Sequence, residues 1–184
     1  RIEVPTISDV EKLFAHINTR YKVLVLFGAY SGLRFGEITS LRNKDLSKVI
    51  NRDGSESFLI NVDKTVVNVK GNLKSTSPKS KYSVRSVLLP SSLTVTMEEY
   101  LTATGCTLPN SLVFPSASGE YLRHDVFTNS WNRALKNAGI KRRLTPHGLR
   151  HFAGSEYARS GANLSEIKDW LGDGSTSAVM RYIH

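Results

Sequence analysis

The sequence predicts an α+β domain, mainly helical, with one small antiparallel sheet of about three strands. Three observations point there. Apolar residues recur at helical spacing up to residue 46 and again from residue 93 onward. β-Branched residues crowd the stretch 48–89, with turn-rich segments between and beside them. Helices and strands are therefore segregated along the chain rather than alternating, which argues against a parallel α/β sheet. The 184 residues suffice for one domain with a proper core.

The elements follow in order. In VPTISDVEKLFAHI, Thr6 or Ser8 can cap a helix, with Asp9 or Glu11 three residues later and Val10, Leu13, Phe14 and Ile17 on one face. YKVLVLFGAYSGL is apolar on nearly every side and predicts a buried helix ending near Gly32. GEITSL predicts a short helix. FLINVDKTVVNVK and YSVRSVLLP predict strands, and NRDGSE and GNLKSTSPKSK predict turns. Helices return in LTVTMEEYLTA, in RHDVFTNSWNRALKNAG (Val126, Phe127, Trp131 and Leu135, closing at Gly139), in LRHFAGSEYARSG, in LSEIKDWLG and in STSAVMRYIH.

Composition narrows the function. The formal net charge is +9 and the pI about 9.8, which makes nucleic acid the leading partner class, with an anionic membrane surface as competitor. No apolar run is long enough to span a bilayer, and no secretory signal opens the sequence. The single cysteine, Cys106, excludes an internal disulfide and a cysteine-based zinc site, and reads as an ordinary small residue in an intracellular protein. His147 and His151 have i,i+4 spacing, but no glutamate follows His147, so no metal site is expected. Walker-type and Gly-x-Ser-x-Gly motifs are lacking.

Several residues are candidates for phosphate chemistry. In TPHGLRH, Thr145 is expected as N-cap and Pro146 as the first helical residue, which puts His147, Arg150 and His151 on one face at a helix N-terminus, where free N–H groups favour an anion. Arg34 follows Gly32 where the buried helix ends, with Glu37 three residues on. It reads either as a cleft-facing arginine oriented by Glu37 or as a cation complementing the helix dipole. Lys79, Lys81 and Arg85 fall on an expected hairpin tip, which can track a DNA backbone or be a solvated loop. Tyr182, in MRYIH, reads by default as a packing residue.

The order of these signals carries more than each alone. Gly-Leu-Arg with a glutamate three residues later, a hairpin lysine, His-Gly-Leu-Arg-His, Leu-Gly and Tyr-x-His succeed one another from about Thr6 to His184. In this the chain resembles the catalytic domain of the tyrosine recombinase family, the phage and mobile-element integrases. The resemblance implies a mainly helical fold with a small sheet. It implies catalytic roles for Arg34, Lys79 (or, more weakly, Lys81), His147 and Arg150, with Tyr182 as nucleophile. Lys81, Arg85 and His151 become DNA-binding candidates.

The implied reaction is site-specific DNA recombination through a 3′-phosphotyrosyl intermediate, without metal or cofactor, in the cytoplasm of a bacterial or phage-infected host. The implied partners are double-stranded DNA, further copies of the chain in a tetramer on paired sites (a monomer as the isolated domain) and accessory DNA-bending proteins. Residues 1–184 correspond to one catalytic domain, and a preceding DNA-binding domain is expected in a longer recombinase.

One position departs from the pattern. After Leu171-Gly172 the family usually has histidine, sometimes tryptophan, whereas this chain has Asp173. An ionised carboxylate cannot donate a hydrogen bond and repels phosphate. Asp173 is thus expected to be protonated, or to point away, or to leave the site one donor short. A DNA-binding module without cleavage activity, or a topoisomerase-like relaxer, are the alternatives.

Overall fold

The computed structural model describes residues 3–180, apart from the side chains of Thr176 and Ala178. Helix α1 (Ile7–His16) starts at Thr6, whose hydroxyl accepts the Asp9 N–H at 3.2 Å while the Asp9 carboxylate accepts the Thr6 N–H at 2.8 Å. Helix α2 (Lys22–Ser31) buries Leu24, Val25, Phe27 and Ala29 and ends on Gly32, at φ +66°, as its apolar sequence predicts. Helix α3 (Phe35–Ser40) follows after only three residues.

Five strands come next: β1 (Leu46–Ile50), β2 (Glu56–Val62), β3 (Thr65–Val69), β4 (Asn72–Thr76) and β5 (Arg85–Leu88). The expected three-stranded antiparallel sheet is present in the order β1-β2-β5. The sequence reading missed a separate hairpin, β3-β4, closed by Lys70 and Gly71 at positive φ. Strand β4 was expected as turn because it is polar and solvent-facing, with no apolar alternation to read. This hairpin lies hard against α3. A Cβ on Gly36 would sit 2.5 Å from the Thr65 hydroxyl and 2.7 Å from the Val66 carbonyl.

Helices α4 (Thr94–Ala103), α5 (His124–Asn137), α6 (Gly148–Arg159), α7 (Leu164–Leu171) and α8 (Thr176–Val179) complete the chain. Phe127, Trp131 and Leu135 of α5 are buried, whereas Val126 is exposed. The Trp131 indole N–H donates to the Leu144 carbonyl, which fixes the segment leading to α6. Cys106 is buried after α4. Gly28 of α2 lets Leu149 of α6 approach closely, so these two helices form the floor under the residues described next. None of the described helices is long and apolar enough to cross a membrane.

Two local expectations need correction. Helix α6 begins at Gly148, not at Pro146. The Thr145 and Pro146 carbonyls accept the Gly148 and Leu149 N–H groups in a tight turn, and His147 is the N-cap residue. Lys79 and Lys81 are not at a hairpin tip but on the connection from β4 to β5, because Lys70-Gly71 supplies the turn instead.

Candidate active site

Arg34 links α2 to α3. Gly32 reverses the chain in the left-handed region, and Arg34 then adopts an extended backbone as N-cap of α3. Its backbone N–H donates to Glu37 Oε2 at 2.8 Å and its Nη1 to Glu37 Oε1 at 3.3 Å. Glu37 therefore orients Arg34, whose side chain is 39% exposed. Burial alone would raise the Glu37 carboxyl, but hydrogen bonds and charge from Arg85 and Arg34 hold it below the usual carboxylate range.

Arg85 turns inward. Its two terminal nitrogens each donate to a different Glu37 oxygen at 3.1 Å, its Nε donates to the Trp170 carbonyl at 2.7 Å and its Nη1 to the Ser83 carbonyl at 3.0 Å. Its side chain is 7% exposed. A basic residue on a strand near the basic loop looks solvent-facing in sequence. Only the tertiary position of Glu37 pulls it inside.

Arg150 is buried where α2 and α7 end. Nη1 donates to the Gly32 carbonyl at 2.6 Å and Nη2 to the Leu171 carbonyl at 2.8 Å. Both helices end on a left-handed glycine, Gly32 and Gly172, leaving C-terminal carbonyls in need of donors. One guanidinium thus satisfies two helix ends and complements both dipoles.

His147 stands beside it, with its ring 4.8 Å from that of His151 in an edge-to-face pair. Burial, with the positive charges of His151, Arg150 and Arg34, pushes the His147 pKa down to about 4, against a smaller upward pull from Asp173. The imidazole is therefore neutral at pH 7 and presents one donor and one acceptor nitrogen. His151 is partly buried on α6.

Asp173 points into this cluster. Its Oδ1 accepts a hydrogen bond from Arg34 Nη2 and forms an ion pair with Arg150, whose Nη2 lies 2.9 Å away. Of the three expectations for this residue, that it points away is overturned, because the two guanidiniums converge on its carboxylate and hold it.

Lys79 and Lys81 are exposed, and among the described residues neither forms a hydrogen bond or ion pair with the arginines. The loop that carries them is nonetheless anchored nearby. Lys168 lies 5.6 Å over the Tyr82 ring, and Gly172 and Gly174 allow the Tyr82 backbone and ring to approach closely. No local pattern in the sequence points to Tyr82 in this contact. Tyr182 lies outside the described residues. Helix α8 ends three positions before it, at Val179.

The model of the phage integrase family matches residues 4–184. The chain belongs to that family. Among curated relatives, the putative prophage phiRv2 integrase of Mycobacterium tuberculosis is 31% identical over 186 residues, matching 100% of this chain and 48% of that protein. A tyrosine recombinase of Pseudothermotoga lettingae is 28% identical, with 96% of this chain and 54% of the relative covered. This integrase-family chain thus spans about half the length of the curated relatives it matches. Its fold matches a Tn1549 transposon integrase solved in complex with circular intermediate DNA (TM-score 0.82, 16% identity, 99% of this chain and 62% of that one). It also matches the XerA recombinase (TM-score 0.73, 23% identity, 99% and 58%).

Proposed function

We propose that this chain is the catalytic domain of a site-specific recombinase that breaks and rejoins double-stranded DNA through a covalent phosphotyrosine. The observation that carries the reading is the convergence of Arg34 and Arg150 on one anion, with neutral His147 beside them. Two permanently charged forks suit the non-bridging oxygens of a phosphodiester as negative charge builds in the transition state.

In the proposed step, the Tyr182 hydroxyl loses its proton and its oxygen bonds to phosphorus. The bond from phosphorus to the 5′-oxygen breaks, and Lys79 supplies the proton that this oxygen needs to leave. His147 accepts the tyrosine proton or donates a hydrogen bond to the phosphate. Rejoining is the same sequence reversed, so the bond energy is kept and no nucleotide cofactor is consumed. Lys81 and His151 contribute to holding the DNA backbone. Recombination further implies several copies of the full-length protein on paired DNA sites, accessory DNA-bending proteins and a cytoplasmic location.

A second reading is a DNA-binding module with impaired cleavage. Asp173 favours it, since a carboxylate fills the anion position. A nicked suicide substrate incubated with the full-length protein separates the two. The recombinase reading expects a covalent protein–DNA adduct that disappears in Tyr182→Phe while binding remains, because only a hydroxyl is lost. An adduct that persists in Tyr182→Phe refutes the nucleophile, and no adduct from the unaltered protein refutes cleavage.

A further inference from the structure

Asp173 is not a bystander to the two arginines. Its Oδ1 is shared by Arg150 Nη2, at 2.9 Å, and Arg34 Nη2. Without it, two guanidiniums would face each other across the same point with, among the described residues, Glu37 alone as counterion, and Glu37 already bonds both Arg85 terminal nitrogens. Arg150 cannot withdraw, because it is pinned to the Gly32 and Leu171 carbonyls in the interior. An anion is therefore required where the Asp173 carboxylate lies.

We propose that Asp173 is a positioning residue that acts as an internal phosphate surrogate. Its carboxylate keeps Arg34 and Arg150 converged in the DNA-free protein, and an incoming phosphate must displace it. The inference rests on the proposed phosphodiester chemistry for the identity of the natural ligand, a backbone phosphate of DNA.

Three features make the exchange feasible. The seat is open on one side, since the Arg34 side chain is 39% exposed and that of Asp173 13%. Asp173 follows the α7 C-cap and lies between helices, so rotation of its side chain clears the seat without moving a helix. A phosphodiester also offers two non-bridging oxygens, one for each guanidinium, where Asp173 offers a single shared oxygen. The same geometry sets a threshold. A phosphate that is not pressed into place by correctly docked DNA competes poorly with a tethered carboxylate.

The test uses inorganic phosphate as probe on the full-length protein, with binding followed by the NMR shift of the His147 ring. Replacing Asp173 removes one charge-assisted competitor, so Asp173→Asn is expected to bind phosphate about 10- to 100-fold more tightly than the unaltered protein. Asp173→His should gain similarly. The gain should vanish when Arg34→Gln is added, which a general change in surface charge would not do.

Equal phosphate affinity in the unaltered protein and both variants overturns the proposal, as does a gain that survives Arg34→Gln. Should both variants unfold, excess phosphate must restore folding by replacing the missing anion, and failure to do so also overturns it. Phosphate binding needs no cleavage. A negative adduct result therefore refutes the recombinase reading while leaving this one standing, and a phosphate result without gain does the reverse.

Discussion

Replacing Arg85 by alanine tests whether this residue belongs to the protein interior or to the DNA face. Its side chain and that of Glu37 are 7% and 3% exposed, and the two are joined by parallel bonds of 3.1 Å. Arg85→Ala would leave a buried carboxylate with Arg34 alone and would orphan the Trp170 carbonyl, which Arg85 Nε reaches at 2.7 Å. Breaking a buried pair from one side costs about 3–5 kcal/mol. For a domain of this size each kcal/mol moves the melting temperature by about 2–4 °C, so Arg85→Ala should lower Tm by roughly 6–20 °C. Thermal unfolding monitored by circular dichroism reads this directly. The double variant Arg85→Met with Glu37→Leu should recover much of the loss, because neither charge is then stranded. A Tm within about 2 °C of the unaltered protein, together with a DNA-binding salt slope shallower by about 0.9, would refute the reasoning and return Arg85 to the phosphate face.

The remaining predictions concern protons. The folded His147 pKa of about 4 lies below the ordinary 6.5, so the unfolded chain takes up this proton first. The stability that depends on its neutrality is complete above pH 6.5 and declines as pH falls from 6.5 toward 4, by about 1–2 kcal/mol after discounting for the half-exposed ring. An NMR titration placing His147 near 6.5 would contradict this, and His147→Asn should flatten that part of the stability curve. For the leaving-group acid, Lys79→Ala should abolish cleavage of ordinary DNA but not of a substrate with a 5′-bridging sulfur, whose thiolate leaves without a proton. Arg150→Ala should not be rescued by sulfur, and rescue of Lys81→Ala instead would move the acid to Lys81.

What the sequence made legible was local in origin. The α1 cap was readable because Thr6 and Asp9 act within one turn, and α2 because its apolar run is continuous. Arg34 with Glu37, and His147 with Arg150, were readable because each pair spans three residues. The β3-β4 hairpin was not, since an exposed polar strand leaves no periodic trace. The burial of Arg85 and the direction of Asp173 were also hidden. Each depends on a partner far along the chain: Glu37 for Arg85, and Arg34 and Arg150 for Asp173. Charge in a sequence marks that a residue needs a partner, not whether that partner is solvent, DNA or a distant carboxylate.

The balance of charge explains why one carboxylate is fixed and the other is exchangeable. Arg34, Arg85 and Arg150 bring three positive charges, and Glu37 and Asp173 bring two negative ones, which leaves the cluster with a single net positive charge. Glu37 is enclosed, bonded by two arginine side chains and a backbone N–H, and its removal would strand Arg85 in the interior. Among the described residues, the Asp173 carboxylate bonds only the two arginines that converge on the open seat. Exchanging its carboxylate for a phosphodiester leaves the net charge unchanged, so Arg150 need not shift from the carbonyls that hold it. A histidine at this position would leave the empty cluster one charge more positive and would bind phosphate more readily, but it would lack the anion that keeps the two guanidiniums together. The aspartate therefore exchanges affinity for preorganisation, because the arginines are already gathered when the phosphate arrives and the cost of bringing them together is met during folding.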